Sequence, residues 1–480
     1  MPFPKKLNQQ TLPAMVFSSN VFLLYFLPVF FLVYFILPKK TRNYTLLFGS
    51  LLFYLWGAPE FIIQLILSLV ANFYLVRWMC HCEKPRLKKL LCGFSIAIPI
   101  GLLLFYKYGN FTIQNISILA GWLRIEKLST LSSQLSTILL PIGISFFSFQ
   151  SVTYTLDTYR GVNQPMKKLS DFMLYIAMFP QLIAGPIVRY CDVADQIRSR
   201  ESTLDDRLQG FFRFVLGLCK KILIADVLGR TVDATLTANA DIASFGAGTS
   251  WVVALAYTFQ IYFDFSGYSD MAIGLGQIMG FRFPENFNRP YTSRSITEFW
   301  RRWHITLGAF FMNYLYIPLG GNRRGKGRMY FNLWVCFLIS GLWHGASWNF
   351  VVWGALHGLF ICLDKLLNGK RSVFVTFIIV TTLWMFFRIE NIGLAWAFVK
   401  QMFSFHFSPL NLPGNPQFYT ILIVAALFSF LPRKLTDKVG ATLRTQRSTV
   451  VVWVIAIFAY LFCLGALNAS DFSPFINFRF

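Results

Sequence analysis

The chain has 480 residues, of which 55% are hydrophobic and only 14% are charged, whereas soluble domains have about 25% charged residues. This composition and a mean hydropathy of +0.53 exclude an ordinary soluble protein. Lys and Arg outnumber Asp and Glu by 44 to 21, but the cations lie in short loops between apolar runs. Such loops typically face the cytoplasm and anionic lipid headgroups, so we expect membrane lipids and no nucleic acid as partners.

Apolar runs without a charged residue recur along the chain. Residues 21–37 suffice, with slight help from their flanks, to cross about 30 Å of hydrocarbon, and residues 329–363 are long enough for two passes. The pattern predicts an all-α polytopic membrane protein with about 11 or 12 transmembrane helices. The other runs are residues 43–59, 61–76, 90–106, 129–156, 172–188, 242–263, 373–387, 416–432 and 448–470.

The domain organisation is simple, because the sequence has no internal repeat and no polar linker long enough to separate two domains. We predict a polar N-terminal extension over residues 1–14, no cleavable signal, and a single membrane domain over residues 15–480. The basic clusters, such as residues 84–89, 323–328 and 433–447, do not alternate cleanly with the spans. Some apolar segments are therefore expected to enter and leave on one side, with their backbone buried in protein.

Residues 295–307 predict an amphipathic helix. Ser295, followed three residues later by Glu298, forms a capping box, so a helix is expected to begin there. Apolar residues then recur at helical spacing, and His304 falls on their side. The helix would present arginines to water or phosphate and turn a histidine toward the protein. The arginines away from the apolar side are Arg294, Arg301 and Arg302.

The histidines are the first candidates for chemistry. His344 lies in a run without charged residues, where an ionisable group is costly and usually functional. His344 and His357 are thirteen residues apart, about 220° around one helix, so they become neighbours only if the chain breaks at residues 345–349 and folds back. A neutral imidazole suits proton removal from a hydroxyl. We predict chemistry at His344 and then at His304, whereas a structural role explains His357 equally well. Structural roles are expected for His81 and His406.

A second polar group lies at residues 264–274, within a stretch up to residue 290 whose composition predicts broken helices around a polar cavity. Ser266 and Asp270 can share a helix face, but hydrogen bonding between helices explains these residues as well as a role in the site. No metal is expected, because the histidines lack a suitably spaced carboxylate ligand. The candidates for lining a tunnel to the site are Asp264, Ser266, Asp270, Trp343, Asn349 and His357. Gln150, Asp157, Arg160, Gln181 and Arg189 either line such a tunnel or join helices.

Eight tracts carry a resemblance to a known family. They are MVFSSNVFLLYFLP, PIGISFFSFQ, FPQLIAGPI, FDFSGYSDMAIG, NFNRPY, FWRRWHITLG, YIPLGGNRRG and SGLWHGASWNFVVWGALHG. From Met15 to Phe480 the chain resembles the membrane-bound O-acyltransferase (MBOAT) family, and within it the bacterial branch of the alginate O-acetylation protein AlgI and the D-alanyl transfer protein DltB. The resemblance implies a ring of tilted helices around a thin centre, with a central funnel that reaches the active histidine.

The resemblance also implies roles for particular residues. The histidine of the family's WHG segment, here His344, is its catalytic residue, and the histidine of FWRRWH, here His304, is the second residue associated with the site. Nearby arginines would suit the phosphates of an acyl donor, because a guanidinium binds phosphate through a planar fork of donors. No tightly bound cofactor is expected, since the donor, acetyl-CoA or an acyl carrier thioester, is a substrate. The arginines are Arg301, Arg302, Arg323 and Arg324, with a solvated loop as the alternative for the last two.

The function implied is that of an O-acetyltransferase of the bacterial inner membrane, which moves an acyl group from a cytoplasmic thioester toward an exported polysaccharide. The expected partners are a periplasmic or membrane-anchored acetyltransferase of the SGNH type, similar to AlgJ or AlgX, and an exopolysaccharide or cell-wall glycan as acceptor. The alternative is a proton-coupled transporter or a flippase of a lipid-linked sugar. Transporters often contain paired repeats, which are absent from this sequence, so acyl transfer is favoured.

Overall fold

The computed structural model describes residues 17–123, 138–237, 240–367, 372–406, 415–432 and 446–469. These residues are mostly helical, and the only β-type pairing among them is an isolated bridge. The predicted extension over residues 1–14 and the cluster residues 433–445 lie outside the described ranges. The first helices are α1 (Leu27–Ile36), α2 (Arg42–Gly57), α3 (Ile62–His81), α4 (Pro85–Trp122), α5 (Ile144–Tyr159), α6 (Leu169–Ala177), α7 (Phe179–Leu182), α8 (Tyr190–Arg198), α9 (Leu204–Cys219) and α10 (Asp226–Thr235). They are followed by α11 (Ala247–Ile278), α12 (Ile296–Arg302), α13 (Ile305–Phe311), α14 (Lys326–His344), α15 (Trp348–Leu366), α16 (Val373–Arg388), α17 (Ile392–Met402), α18 (Pro416–Phe430) and α19 (Gln446–Asn468).

Several helices are suited to a membrane. Among the described residues, four helices are long and apolar enough to cross one, and three shorter helices are also apolar. Large apolar side chains on these helices remain exposed, as a lipid-facing surface requires. The predicted all-α polytopic membrane fold is confirmed. The four long helices are Pro59–His81, Pro85–Trp122, Trp348–Leu366 and Val450–Asn468, and the shorter ones are Val21–Ile36, Val373–Arg388 and Pro416–Phe430.

Residues 172–188 do not form the single span that hydropathy predicts. Two prolines and a glycine interrupt the run, which folds into α6, the short α7 and a buried irregular stretch. The backbone of that stretch bonds to distant side chains: Val188 O accepts from the Tyr175 hydroxyl at 3.0 Å, and Ile187 N donates to Thr306 Oγ1 at 2.9 Å. Irregular backbone is tolerated at membrane depth only where protein surrounds it in this way.

Two other sequence predictions place helix breaks wrongly: one misses a break and the other adds one. In the predicted span over residues 129–156, the described part becomes helical only at Ile144. Conversely, residues 264–278 do not form broken helices, because α11 continues without interruption to Ile278 and only the segment after it is irregular. Helix α9 packs along α11.

Residues 329–363 make the two predicted passes, as the hairpin of α14 and α15. The two helices cross closely, because a Cβ atom on Gly341 would lie 2.3 Å from Phe350 O and one on Gly354 would lie 2.5 Å from Phe337 O. Larger residues at these glycines would therefore push the helices apart. The crossing holds the tip of the hairpin, and with it His344, in a defined place.

Contacts gather the basic loops at one end of the bundle, here called the basic face. Lys39 lies 3.7 Å from Glu201, and Arg77 donates to Lys167 O at 2.9 Å, while further hydrogen bonds join the remaining segments. Because these loops lie at the same end of the bundle, the basic clusters need not alternate with the spans along the sequence. The basic face comprises residues 39–42, 77–89, 160–168, 198–207 and 313–328.

The buried apolar side chains form two clusters, and the candidate site lies where they meet. One cluster includes Ile183 and Trp343, and the other includes Phe265 and Trp353. Helix α14 starts at the basic face and ends at His344, so the site lies roughly 28 Å along that helix from the basic face, at 1.5 Å per residue.

Candidate active site

His344 is the last residue of α14, and the chain breaks over residues 345–347 before α15 begins. The folding back that the sequence left open therefore occurs. The imidazole is half-buried among aromatic rings, with centroid distances of 4.9 Å to Trp343, 5.2 Å to Trp353 and 5.1 Å to Phe387. Among the described residues, its ring nitrogens make no hydrogen bond, so both remain available to a substrate.

His304 does not lie on a continuous amphipathic helix, which corrects the prediction for residues 295–307. Ser295 does cap the start, since its Oγ accepts from Glu298 N at 3.1 Å, but α12 ends at Arg302. His304 follows with a φ of 45°, a left-handed conformation that is uncommon for a residue with a side chain and is found at functional sites. The imidazole that follows this local turn is buried.

Asn286 holds His304, and no sequence pattern identified it. Its Nδ2 donates to Gly185 O at 3.3 Å and its Oδ1 accepts from Thr306 N at 3.3 Å, so the amide orientation is fixed. The same Oδ1 lies 3.0 Å from His304 Nδ1, which must therefore carry the proton of this bond. In the neutral ring Nε2 is then an unprotonated acceptor, and it has no partner among the described residues.

The two histidines line one small cavity of about 150 Å³, here called the histidine cavity. Trp343 connects them, because its ring lies 6.1 Å from the His304 ring and 4.9 Å from the His344 ring. Phe265 packs edge-on against His304 at 4.7 Å. The cavity therefore offers two imidazoles and an apolar aromatic wall to a reacting group. Its remaining wall comes from Lys107, Ile183 and residues 140–146.

Lys107 is a second residue that the sequence analysis passed over, since residues 90–106 were taken as a span ending just before it. It lies inside α4 and its ammonium donates to Trp343 O at 2.6 Å and to His344 O at 3.0 Å. The adjacent Tyr108 hydroxyl donates to Leu342 O. The charge itself was the available signal, because Lys107 interrupts an otherwise uncharged apolar stretch.

Two tunnel candidates lie near the histidine cavity but do not line it. His357 is fully buried between tryptophans, and its Nδ1 accepts from Trp300 Nε1 at 3.2 Å. Asn349 donates to Phe386 O and Ile389 O, both at 3.2 Å, and so ties the start of α15 to the end of α16. Both side chains support the site from outside, whereas the candidate Trp343 is part of its wall.

Three other candidates lie away from the histidine cavity. Asp264 is buried and forms an ion pair with Lys221 at 2.7 Å. Ser266 and Asp270, which were expected to share a face, both line a larger cavity of about 750 Å³ between α9, α11 and α19. We call this the charged cavity. Its other ionic residues are Asp205, Arg213, Lys220, Glu285 and Arg289.

Four of the ionic residues of the charged cavity pair with one another. Asp270 lies 3.0 Å from Arg213 and 2.6 Å from Lys220, and Arg213 also contacts Glu285 at 2.5 Å. Arg289 makes no ion pair within the described part of the chain. Asn286 lines this cavity as well, so the bond between Asn286 and His304 links the two cavities.

The four arginines predicted for a donor are not gathered at either cavity. Arg302 is bound by Glu298 at 2.5 Å and donates to Thr292 Oγ1 at 2.9 Å. The other three, Arg301, Arg323 and Arg324, are exposed. Among the described residues, no group of three or more His, Cys, Asp or Glu side chains is placed to hold a metal ion.

Comparison with known proteins gives a consistent result. The chain matches the membrane-bound O-acyltransferase family over residues 85–405, a range that contains both histidines of the cavity. A Pseudomonas putida protein described as "Probable alginate O-acetylase AlgI" is 38% identical over 97% of this chain and 100% of its own length. A Pseudomonas aeruginosa protein of the same description is 42% identical over 82% of this chain and 75% of its own length. The "Peptidoglycan O-acetyltransferase" of Helicobacter pylori is 34% identical over 81% of this chain and 80% of its own length.

Proposed function

Because this chain belongs to the membrane-bound O-acyltransferase family and is therefore an acyltransferase, we propose that it moves an acetyl group from a cytoplasmic thioester toward an exported polysaccharide. The observation that carries the proposal is the histidine cavity, where two imidazoles from separate segments meet at one aromatic wall inside a membrane domain. Such histidines fit acyl transfer better than transport, and the relatives named above are described as acetylating enzymes.

In the proposed reaction His344 is the general base. Its imidazole removes the proton of an acceptor hydroxyl, and the hydroxyl oxygen attacks the carbonyl carbon of the thioester. The carbon–sulfur bond then breaks, and the departing thiolate takes the proton from the imidazolium. His304 is the helper, because its Nδ1 bond to Asn286 leaves Nε2 free to accept a hydrogen bond from a second donor group of the acceptor molecule and so orient that molecule.

The donor, acetyl-CoA or an acyl carrier thioester, is proposed to approach from the basic face, since Lys and Arg accumulate in cytoplasmic loops. The charged cavity supports this route, because it extends from residues near the basic face, such as Asp205, to Asn286 beside His304. Arg289 lines this route, and the exposed Arg301, Arg323 and Arg324 are the candidates for the outermost phosphate contacts.

The acceptor is proposed to be an exopolysaccharide or a cell-wall glycan outside the bacterial inner membrane, reached directly or through an SGNH-type acetyltransferase partner. The names of the relatives support a glycan in general, because one refers to alginate and another to peptidoglycan. The two names also show why the particular glycan does not follow from similarity.

The deciding experiment uses purified protein in lipid nanodiscs with radiolabelled acetyl-CoA or an acetylated carrier protein. We expect thioester turnover by wild type and a loss of about a thousandfold in His344→Ala, within the range for a general base. His406→Ala is the matched control, because it removes an exposed histidine remote from the cavity. Full turnover by folded His344→Ala would refute the assigned role. Uptake of a lipid-linked sugar without any thioester turnover would favour the transporter instead.

A further inference from the structure

Lys107 occupies an unusual place for a cation. It is the only charged residue between Lys89 and Arg124, and it lies within α4, a helix long and apolar enough to cross a membrane. Ionisable groups at membrane depth are costly, and they usually mark a functional site. Lys107 lines the histidine cavity, and its ammonium lies 5.8 Å from the centroid of the Trp343 ring.

The ammonium binds the end of the helix that carries His344. The last carbonyl groups of a helix have no partner within that helix, and a cation near them also interacts favourably with the helix dipole. In α14 these carbonyls belong to Leu342, Trp343 and His344. Tyr108 donates to the first, and Lys107 donates to the second and third. Two adjacent residues of α4 thus serve all three carbonyls.

This arrangement matters because, within the described part of the chain, no polar contact holds the ring of His344 itself. The imidazole of His344 makes no hydrogen bond to any described residue and is surrounded by aromatic rings, which resist tilting but form no directed bond. The position of the ring therefore depends on the position of its own backbone. The backbone carbonyl of His344 is bound by Lys107 at 3.0 Å.

We propose that Lys107 is a positioning residue for acyl transfer, which fixes the end of α14 and thereby the distance from the His344 imidazole to His304 and to the acceptor hydroxyl. The inference rests on the proposed function of His344. It assigns Lys107 no contact with the reacting atoms. Its effect on the reaction passes through the two carbonyl groups that flank the catalytic side chain.

The test compares three variants in nanodiscs. Lys107→Met keeps the length of the side chain but removes its donors, and we expect kcat to fall about 100-fold, the size of effect that follows from small misplacement. The donor KM should stay within about threefold, because the donor contacts are intact. Lys107→Arg should recover kcat to within about tenfold of wild type, since a guanidinium can donate to both carbonyls. A structural role alone would not produce this split between kcat and KM or the recovery by arginine.

Asn115→Leu is the matched control. Asn115 also lies on α4, and its Oδ1 accepts from Trp348 Nε1 at 3.0 Å. The variant therefore loses a hydrogen bond to the same hairpin but leaves the carbonyl groups of Trp343 and His344 bound to Lys107. We expect its kcat to equal that of wild type. Wild-type kcat in folded Lys107→Met, or an equal loss of kcat in Asn115→Leu, would overturn the inference.

A second measurement separates this inference from the proposed function. Diethyl pyrocarbonate modifies accessible neutral histidines, and peptide mass spectrometry can follow its rate at His344 without any acyl transfer. If Lys107 holds the backbone of His344, Lys107→Met should change that rate several-fold, whereas Asn115→Leu should not. An unchanged rate in Lys107→Met would overturn the positioning role. Absence of thioester turnover in wild type would instead overturn the proposed function.

Discussion

The histidine cavity and the charged cavity are neighbours joined through one hydrogen bond, from Asn286 to His304, but they are built in opposite ways. The charged cavity is the larger, about 750 Å³ against about 150 Å³. Arg213 and Asp270 in it compensate each other at 3.0 Å. The imidazoles of the histidine cavity face aromatic rings, and no carboxylate among the described residues pairs with them.

Under the proposed function, neither the size nor the charge content of a cavity identifies the reacting centre. Paired charges are already stabilised, and breaking a buried pair costs folding free energy without releasing a reactive group. A buried imidazole nitrogen without a partner is costly to the fold, and such a group calls for a functional explanation. On this view substitutions in the histidine cavity should reduce turnover, and substitutions in the charged cavity should reduce stability.

Of the substitutions that test this difference between the two cavities, His304→Asn should have the largest effect. Asparagine tolerates the left-handed backbone at this position, so the fold should survive while the imidazole is lost. We expect kcat for acetyl transfer to fall about 100-fold or more, the contribution of a positioned acid–base group. The control is Thr306→Val, which removes a different hydrogen bond to the same Asn286 oxygen, together with the acceptor of Ile187 N, and should lower kcat much less. Wild-type kcat in His304→Asn would mean that the reaction needs only one of the two imidazoles.

Asp270→Asn tests the other half of the comparison. Neutralising this carboxylate leaves Arg213 and Lys220 without the anion they share, and we expect the free energy of unfolding to fall by about 3 kcal/mol. At saturating donor, kcat should remain within about threefold of wild type. Reversible unfolding in mixed micelles gives the first quantity and the transfer assay the second. Asp205→Asn is the control, because this exposed carboxylate of the same cavity bonds to Gln209 and not to a cation. A large loss of kcat with unchanged stability would reverse the assignment of the two cavities.

Hydropathy predicted the membrane class and the α14–α15 hairpin, because absence of charge over a sufficient length is a local property. It failed at residues 172–188 for a physical reason. There the backbone leaves the helix and bonds to side chains far away in sequence, as Ile187 does with Thr306, and no local pattern encodes such a partner. The same limit applies to α11, whose polar residues predicted a break that packing against α9 makes unnecessary.

The site was predictable to the extent that its residues are rare. His344 and His304 stood out as histidines, although helical periodicity placed His304 on a helix that ends two residues before it. Asn286 opens the tract NFNRPY, but that tract assigned it no role, since its importance comes from its contacts. Lys107 did carry a signal, a single charge in an apolar stretch, but it was read as the end of a span.

The smallest effect is expected at Arg323 and Arg324, which belong to the basic face and line neither cavity. Arg323 and Arg324 are exposed on a loop, so a double substitution to glutamine should leave kcat unchanged and raise the KM for acetyl-CoA about two- to threefold at low salt. Near physiological ionic strength most of this difference should disappear, because exposed charges are screened. Acetyl-dephospho-CoA, which lacks the 3′-phosphate, separates a specific contact from general attraction. If the arginines bind that phosphate, the substitutions should not alter the KM of this analogue. An unchanged KM for acetyl-CoA at low salt would instead favour a solvated loop, and the donor's phosphates would then have to be bound nearer the charged cavity, where Arg289 is the candidate.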